Sequence, residues 1–398
     1  MKKTLLLIVI FLSGFLVTRA DWNHVPNNLT ERIIAIASAD TAVLLALGES
    51  GNIFISNDCG HNWEITFAPP AVVALEALYA DKYKRIAVGD QGKIFMYNGT
   101  SWVEMTSATL KRLNAVHFAG NQHGYAVGEE GTIIKTVNGG TTWTPVASPT
   151  TQWLTNVFVY DQNNVKIVGD GGLVISTANG GQTWDQFTAP GAPWLGSVWL
   201  FSPTSGWFSG TDGILYLMDE FGYSQYLTGT TNGIVSLNLP FTNYGHGVGD
   251  NGYITKWNGT TWQQQTSPTN QWLNGVTSAY NTGNKSNEVT VYSYACGDNG
   301  TLLSTSALIV GLNDPVGPSH KVRIFPNPAN QNALITGLGD GETAEVIISG
   351  NTGQVFNRVH LEYPTNVALP VSLLPDGFYV VSIKTDRGNY AEKLIIRH

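Results

Sequence analysis

The residues of this sequence best placed to do chemistry are carboxylates that recur beside glycine. Glu49, Asp90, Glu129, Asp170, Asp250 and Asp298 each follow a Gly directly. Two such groups facing one another can serve as general acid and base in glycoside cleavage. Arg32, Arg112, Trp153 and Trp194 each stand 16 residues before the Gly of their own repeat, and Trp272 lies 25 before Gly297. Aromatic rings beside carboxylates stack sugar rings and accept their hydroxyls, or hold a peptide. These five Arg and Trp residues are the candidate ligand-binding set. The opposing reading is that each acid caps its own turn and each indole packs over the neighbouring repeat, and repetition favours it because a ligand site usually breaks symmetry. No catalytic constellation emerges, so no catalytic residue and no cofactor is assigned. Asp-x-Asx calcium loops are not evident, and no metal is expected.

The elements that would position these residues follow from the same glycines. Gly48, Gly89, Gly128, Gly169, Gly210, Gly249 and Gly297 are separated by 41, 39, 41, 41, 39 and 48 residues. A period of about 40 residues in a chain dense with Gly and β-formers predicts a propeller with one four-stranded blade per repeat. The expected fold is all-β, a seven-bladed β-propeller plus a small C-terminal β-sandwich. Blade three is the clearest, with alternating segments at 113–119, 123–128, 132–136 and 143–147. Its turns are Gly-Glu-Glu-Gly and Asn-Gly-Gly, which supply positive φ and side chains that bond their own turn. In a four-stranded meander the turn between strands two and three shares a face with the crossover into the next blade. That face therefore gathers the six acids and the five candidate residues around the channel mouth.

Two blades depart from the pattern. Blade five lacks the Gly-Gly-x-x-Trp ending, and blade seven carries a polar insertion at 281–288. Blade seven also lacks a closing Trp strand, while Asp21-Trp-Asn-His-Val25 precedes blade one without a blade of its own. Residues 21–26 are expected to complete the last blade, which removes an exposed sheet edge.

Charge and cysteine usage bound the partners and the compartment. The net charge is −8, and residues 21–311 hold 11 Lys and Arg against 21 Asp and Glu. An acidic propeller without a basic stripe is a poor partner for nucleic acid or an anionic membrane. Lys2 and Lys3 precede an apolar run from Leu5 to Val17, and Thr18-Arg-Ala20 offers small residues at a cleavage site. Residues 1–20 read as a signal peptide, too short in its apolar core to span a bilayer comfortably. No later run could serve as a transmembrane segment of the mature chain. Cys59 and Cys296 are the only cysteines; one falls in a turn and the other in a strand, so two unpaired thiols are expected.

Three blades close on a box: Ser56-Asn-Asp-Cys-Gly-His-Asn-Trp63, Thr136-Val-Asn-Gly-Gly-Thr-Thr-Trp143 and Thr177-Ala-Asn-Gly-Gly-Gln-Thr-Trp184. It resembles the Asp-box of sialidase-like propellers, where the resemblance implies a folding device at the blade edge. Val-Gly-Asp-x-Gly, then the box, then Ser-Pro-Thr-x-x-Trp-Leu resembles the photosystem II assembly-factor group of seven-bladed propellers across residues 29–310. That group is noted for a basic Arg patch, whereas this propeller has Arg32, Arg85 and Arg112 alone. Sialidases begin with Arg-Ile-Pro; here Arg32-Ile-Ile differs at the third residue.

Residues 311–320, with Pro315, Gly317 and Pro318, form a linker by composition. After it, Phe325-Pro-Asn-Pro328, Ser349-Gly-Asn-Thr-Gly-Gln354, Leu374-Pro-Asp-Gly-Phe-Tyr-Val380 and Lys393-Leu-Ile-Ile-Arg-His398 resemble a type IX secretion C-terminal sorting domain, covering 321–398. The resemblance implies that an outer-membrane translocon of Bacteroidetes-type bacteria reads this segment, and that the cargo is released or attached to the outer surface. The function expected is a secreted or cell-surface, non-enzymatic binding module for an extracellular glycan or protein. The alternative is a secreted glycan-cleaving enzyme, sialidase-like or another glycoside hydrolase.

Overall fold

Short strands, the second of each blade ended by Gly, stack into sheets of four throughout the first part of the chain. The computed structural model describes residues 22–70, 73–191, 193–219, 222–280, 288–310, 323–325, 332–336, 343–350, 354–362, 366–385 and 388–397. The leader at 1–20, the linker at 311–320 and most of the blade-seven insertion, 281–287, lie outside them. The chain divides into two units, 1–313 and 314–398.

The first unit is a seven-bladed β-propeller of four-stranded antiparallel sheets. Blade one comprises Ile33–Ser38, Leu44–Gly48, Ile53–Ser56 and Glu64–Phe67. Blades two to six repeat this order. Blade five has its fourth strand at Gly222–Leu227, paired with Ile214–Asp219. In place of a box Trp it stacks Tyr223 on Phe187 of blade four, 3.7 Å between ring centroids. Blade seven joins Leu273–Tyr280, Glu288–Gly297 and Leu302–Val310 to Asn23–His24 from the N-terminus. Asn23 opposes Ser304 and His24 opposes Leu303. Trp22 is buried with Val248, Ile254, Leu273, Val276, Ala295 and Leu303, so an indole anchors this two-residue strand.

Two local features recur in the blades and shape the channel. The turn after the second strand places its middle residue at positive φ, at Gln91, Glu130, Asp212, Asn251 and Asn299 among others. The Gly that follows is required by a close approach: at Gly131, with φ +69, a Cβ would lie 1.9 Å from the Thr150 carbonyl oxygen. Every inner strand also carries a bulge after its first residue, as between Leu113 and Ala115 or between Leu75 and Ala77. The extra residues are Ile34, Glu76, Asn114, Thr155, Gly196, Val235 and Asn274, and a bulge re-aims the side chain it holds.

The boxes sit at the other end of the blades. Ser56 Oγ accepts from Gly60 N (2.9 Å), and Trp63 Nε1 donates to the Gly60 carbonyl (2.8 Å). Thr136 and Trp143 make the same pair of bonds to Gly140. Asp58 accepts from the Asn62 backbone and side chain, which holds its pKa down to about 2. Cys59 takes the place of the first box Gly, at φ 60, and both cysteines are free.

The second unit is a β-sandwich. One sheet orders Arg323–Phe325, Asn332–Thr336 and Asn366–Pro370; the other orders Val355–Glu362, Thr343–Gly350, Gly377–Thr385 and Gly388–Ile396. Ile335, Val346, Ile348, Leu369, Val381, Ile383 and Leu394 fill its core.

Candidate functional site

The channel mouth is built by one hydrogen bond repeated in every blade. The N–H after the repeat Gly donates to the carbonyl of the residue entering that blade's inner strand. The pairs are Glu49 to Arg32, Asp90 to Ala74, Glu129 to Arg112, Asp170 to Trp153, Thr211 to Trp194, Asp250 to Gly233 and Asp298 to Trp272, at 2.8–3.1 Å. Arg32, Arg112, Trp153, Trp194 and Trp272 therefore occupy equivalent places around one ring, completed by Ala74 and Gly233.

Side chains then connect neighbouring blades. Arg32 of blade one reaches back to Asp298 of blade seven (3.0 Å) and donates to Asn274 Oδ1 (3.1 Å). Arg112 of blade three reaches Asp90 (2.5 Å) and Glu76 (3.1 Å) of blade two. In both cases a guanidinium stands on the turn acid of the preceding blade. Lys111 is likewise held, by Glu130 at 2.6 Å. Partial burial raises the pKa of Glu76, repulsion by Asp90 and Glu129 adds to the rise, and Arg112 opposes it.

The indoles of the ring are the most exposed of the twelve; Trp184 and Trp199 are intermediate and the other seven buried. Trp153, Trp194 and Trp272 are 46%, 39% and 49% exposed, whereas Trp22, Trp63, Trp102, Trp143, Trp207, Trp257 and Trp262 do not exceed 9%. Trp194 lies across the bulge of its own strand, where a Cβ at Gly196 would come within 2.5 Å of the indole. That glycine is the space in which the ring rests.

Below the mouth the channel carries an aromatic arc that the repeat pattern did not single out. Tyr79, His117, Phe158 and Trp199 hold equivalent positions on the inner strands of blades two to five. Their rings meet in sequence at 5.4, 4.3 and 5.2 Å between centroids. His117 Nδ1 accepts from Val159 N (3.1 Å), and burial pushes its pKa down to about 4, so it is neutral at pH 7. Asn238, Thr277 and Ala37 take the same place on blades six, seven and one. On the opposite face a cleft of about 190 Å³ runs between blades three and four, lined by Tyr125, Lys135, Asn163, Asn179 and Gln182. Among the described residues, no group of three His, Cys, Asp or Glu side chains is arranged to hold a metal ion.

Residues 323–397 match the family described as the secretion system C-terminal sorting domain. The chain carries a type IX secretion sorting domain. It is exported to the cell surface or the extracellular space, and among the described residues no helix is long and apolar enough to cross a membrane. Residues 94–197 match the family of the photosynthesis system II assembly factor YCF48. Among solved structures, the propeller is similar to YCF48 bound to D1 peptide, at 15% identity and a TM-score of 0.58, covering 71% of this chain and 96% of that one. YCF48 from Cyanidioschyzon merolae aligns at 15% identity and a TM-score of 0.56, covering 72% of this chain and 99% of that one. The WD40 β-propeller domain of Doa1 aligns at 12% identity and a TM-score of 0.58, covering 72% and 97%. At such identities the likeness establishes the propeller fold alone. No curated protein matches the sequence.

Proposed function

We propose that the protein is an exported, non-enzymatic binding module that holds its ligand across the channel mouth. The observation that carries this reading is the contrast in indole burial. Seven indoles are packed away, while the three on the mouth ring present 39–49% of their surface. A half-exposed Trp costs solvation without adding to a core, and contact surfaces are where such residues concentrate. Trp153 and Trp194 stand on adjacent blades, and Trp272 stands next to Arg32 across the ring closure. The fold is also one that, in a YCF48 structure, is seen with a bound peptide. In this reading the boxes are blade-edge folding devices, the leader at 1–20 is a signal peptide, and 321–398 is recognised by the secretion translocon.

One observation favours an enzyme instead. Glu76 and Asp90 share Arg112, and Glu76 has a raised proton affinity, as a general acid would. The two readings part in a combined binding and hydrolysis screen of the mature chain against peptide and glycan arrays. The binding module gives affinity without turnover. Turnover of a glycan that is lost in Glu76→Gln would make this protein a glycoside hydrolase.

A further inference from the structure

We infer that the mouth takes a cationic polypeptide segment, whose Lys or Arg side chains sit at blades four, five and seven where the protein's own Arg112 and Arg32 sit at blades three and one. This rests on the mouth being the binding surface, and it identifies the ligand's chemistry.

The blades are related by internal symmetry, so equivalent positions can be compared directly. Each ring residue except Gly233, whose preceding blade carries Thr211 in the turn, follows a blade whose turn holds an acid. At blades one and three that ring residue is Arg, and it is ion-paired with Asp298 and with Asp90. At blades four, five and seven the ring residue is Trp, and the acids in the corresponding places are Glu129, Asp170 and Asp250. Among the described residues none of these three carboxylates forms an ion pair, although Asp250 accepts from Gly233 N (2.9 Å). The protein thus supplies a cation to two of these positions; at the three equivalent ones the acid has no ion-pair partner among the described residues and the ring residue is an exposed indole. A carboxylate beside an indole suits an incoming ammonium or guanidinium, which gains Coulomb attraction and a cation–π contact together.

The charge of the whole face points the same way. Arg32, Lys111 and Arg112 are all engaged with acids of this face. Glu49, exposed, and Glu129, Asp170 and Asp250, half-buried, carry no such partner among the described residues. The upward shift at Glu76 reflects in part the negative potential of Asp90 and Glu129. An anionic ligand would add to this repulsion, and a neutral glycan would leave it standing.

The test titrates the mature chain with three probes: an alternating Gly-Lys octapeptide, its Gly-Glu counterpart and a neutral hexasaccharide. The expected result is binding of the Gly-Lys peptide alone, weakened at least tenfold between low and 0.5 M salt as screening shortens. Glu129→Gln and Asp170→Asn should each weaken it several-fold, while Glu64→Gln and Asp185→Asn, on outer strands away from the mouth, should not. Trp153→Arg, which would seat an internal guanidinium on Glu129, should abolish that contact without lowering the melting temperature. Arg112→Ala, which frees Asp90 and Glu76 for an incoming cation, should strengthen Gly-Lys binding, and weaker binding in this variant would overturn the cationic assignment. Binding of the Gly-Glu peptide, or hexasaccharide binding insensitive to salt, at the same indoles would overturn the cationic assignment and leave the mouth as the site. Gly-Lys binding that ignores every mouth variant would overturn both.

Discussion

Trp153 and Trp272 are the residues on which the functional reading turns, because each leaves nearly half of its surface exposed on the mouth ring. Replacing either by Ala is expected to weaken ligand binding by ~1–3 kcal/mol. Their exposure predicts an almost unchanged melting temperature, so calorimetry on the same variants separates a contact residue from a packing residue. Unfolding instead of weakened binding would mark them as packing residues. Asp58 gives a residue-scale prediction of a different kind. Its folded pKa, about 2, lies below the ordinary 3.8, so the stability it contributes is present above pH 3.8 and lost as pH falls through 2. Asn138 and Asn179 hold the same place in blades three and four, bond Thr142 N and Thr183 N, and do not titrate. The melting temperature should therefore fall further between pH 6 and pH 2.5 in the wild type than in Asp58→Asn. An equal fall in both proteins would show that the box carboxylate is not linked to folding.

At the scale of elements, ring closure depends on a very short strand. Asn23–His24 pairs at two positions, and its security comes from Trp22, 3% exposed. Trp22→Ala removes an indole from a packed cluster and is expected to cost ~3–5 kcal/mol, measured by urea unfolding. A loss below 1 kcal/mol would mean that the closing strand holds without its anchor. The blades were legible because Gly recurs wherever the chain needs positive φ or a close approach, which imprints the period on the sequence. Blade two was less legible. Its inner strand is offset by one residue, so Ala74 and not Val73 joins the ring. Glu76 was not legible either: it meets Arg112 because a bulge turns it, and no other blade has an acid at that position. The aromatic arc escaped for a related reason, since Tyr79, His117, Phe158 and Trp199 share a place and a role without sharing a residue type.

The whole molecule is two units with separate cores, and the sorting domain draws on its own hydrophobic cluster. Deleting 323–397 should therefore leave the propeller's melting temperature intact while the protein accumulates inside the cell envelope. Export of the truncated chain at the wild-type level would remove the sorting role. The central claim is that this exported propeller binds through its channel mouth. Oxidative footprinting of the mature chain, with and without the tightest binder from the arrays, tests it most directly. The account predicts protection of Trp153, Trp194 and Trp272, with no change at Val137, which is exposed on the opposite face. Protection around Asn163 and Gln182, with the three indoles still reactive, would contradict it.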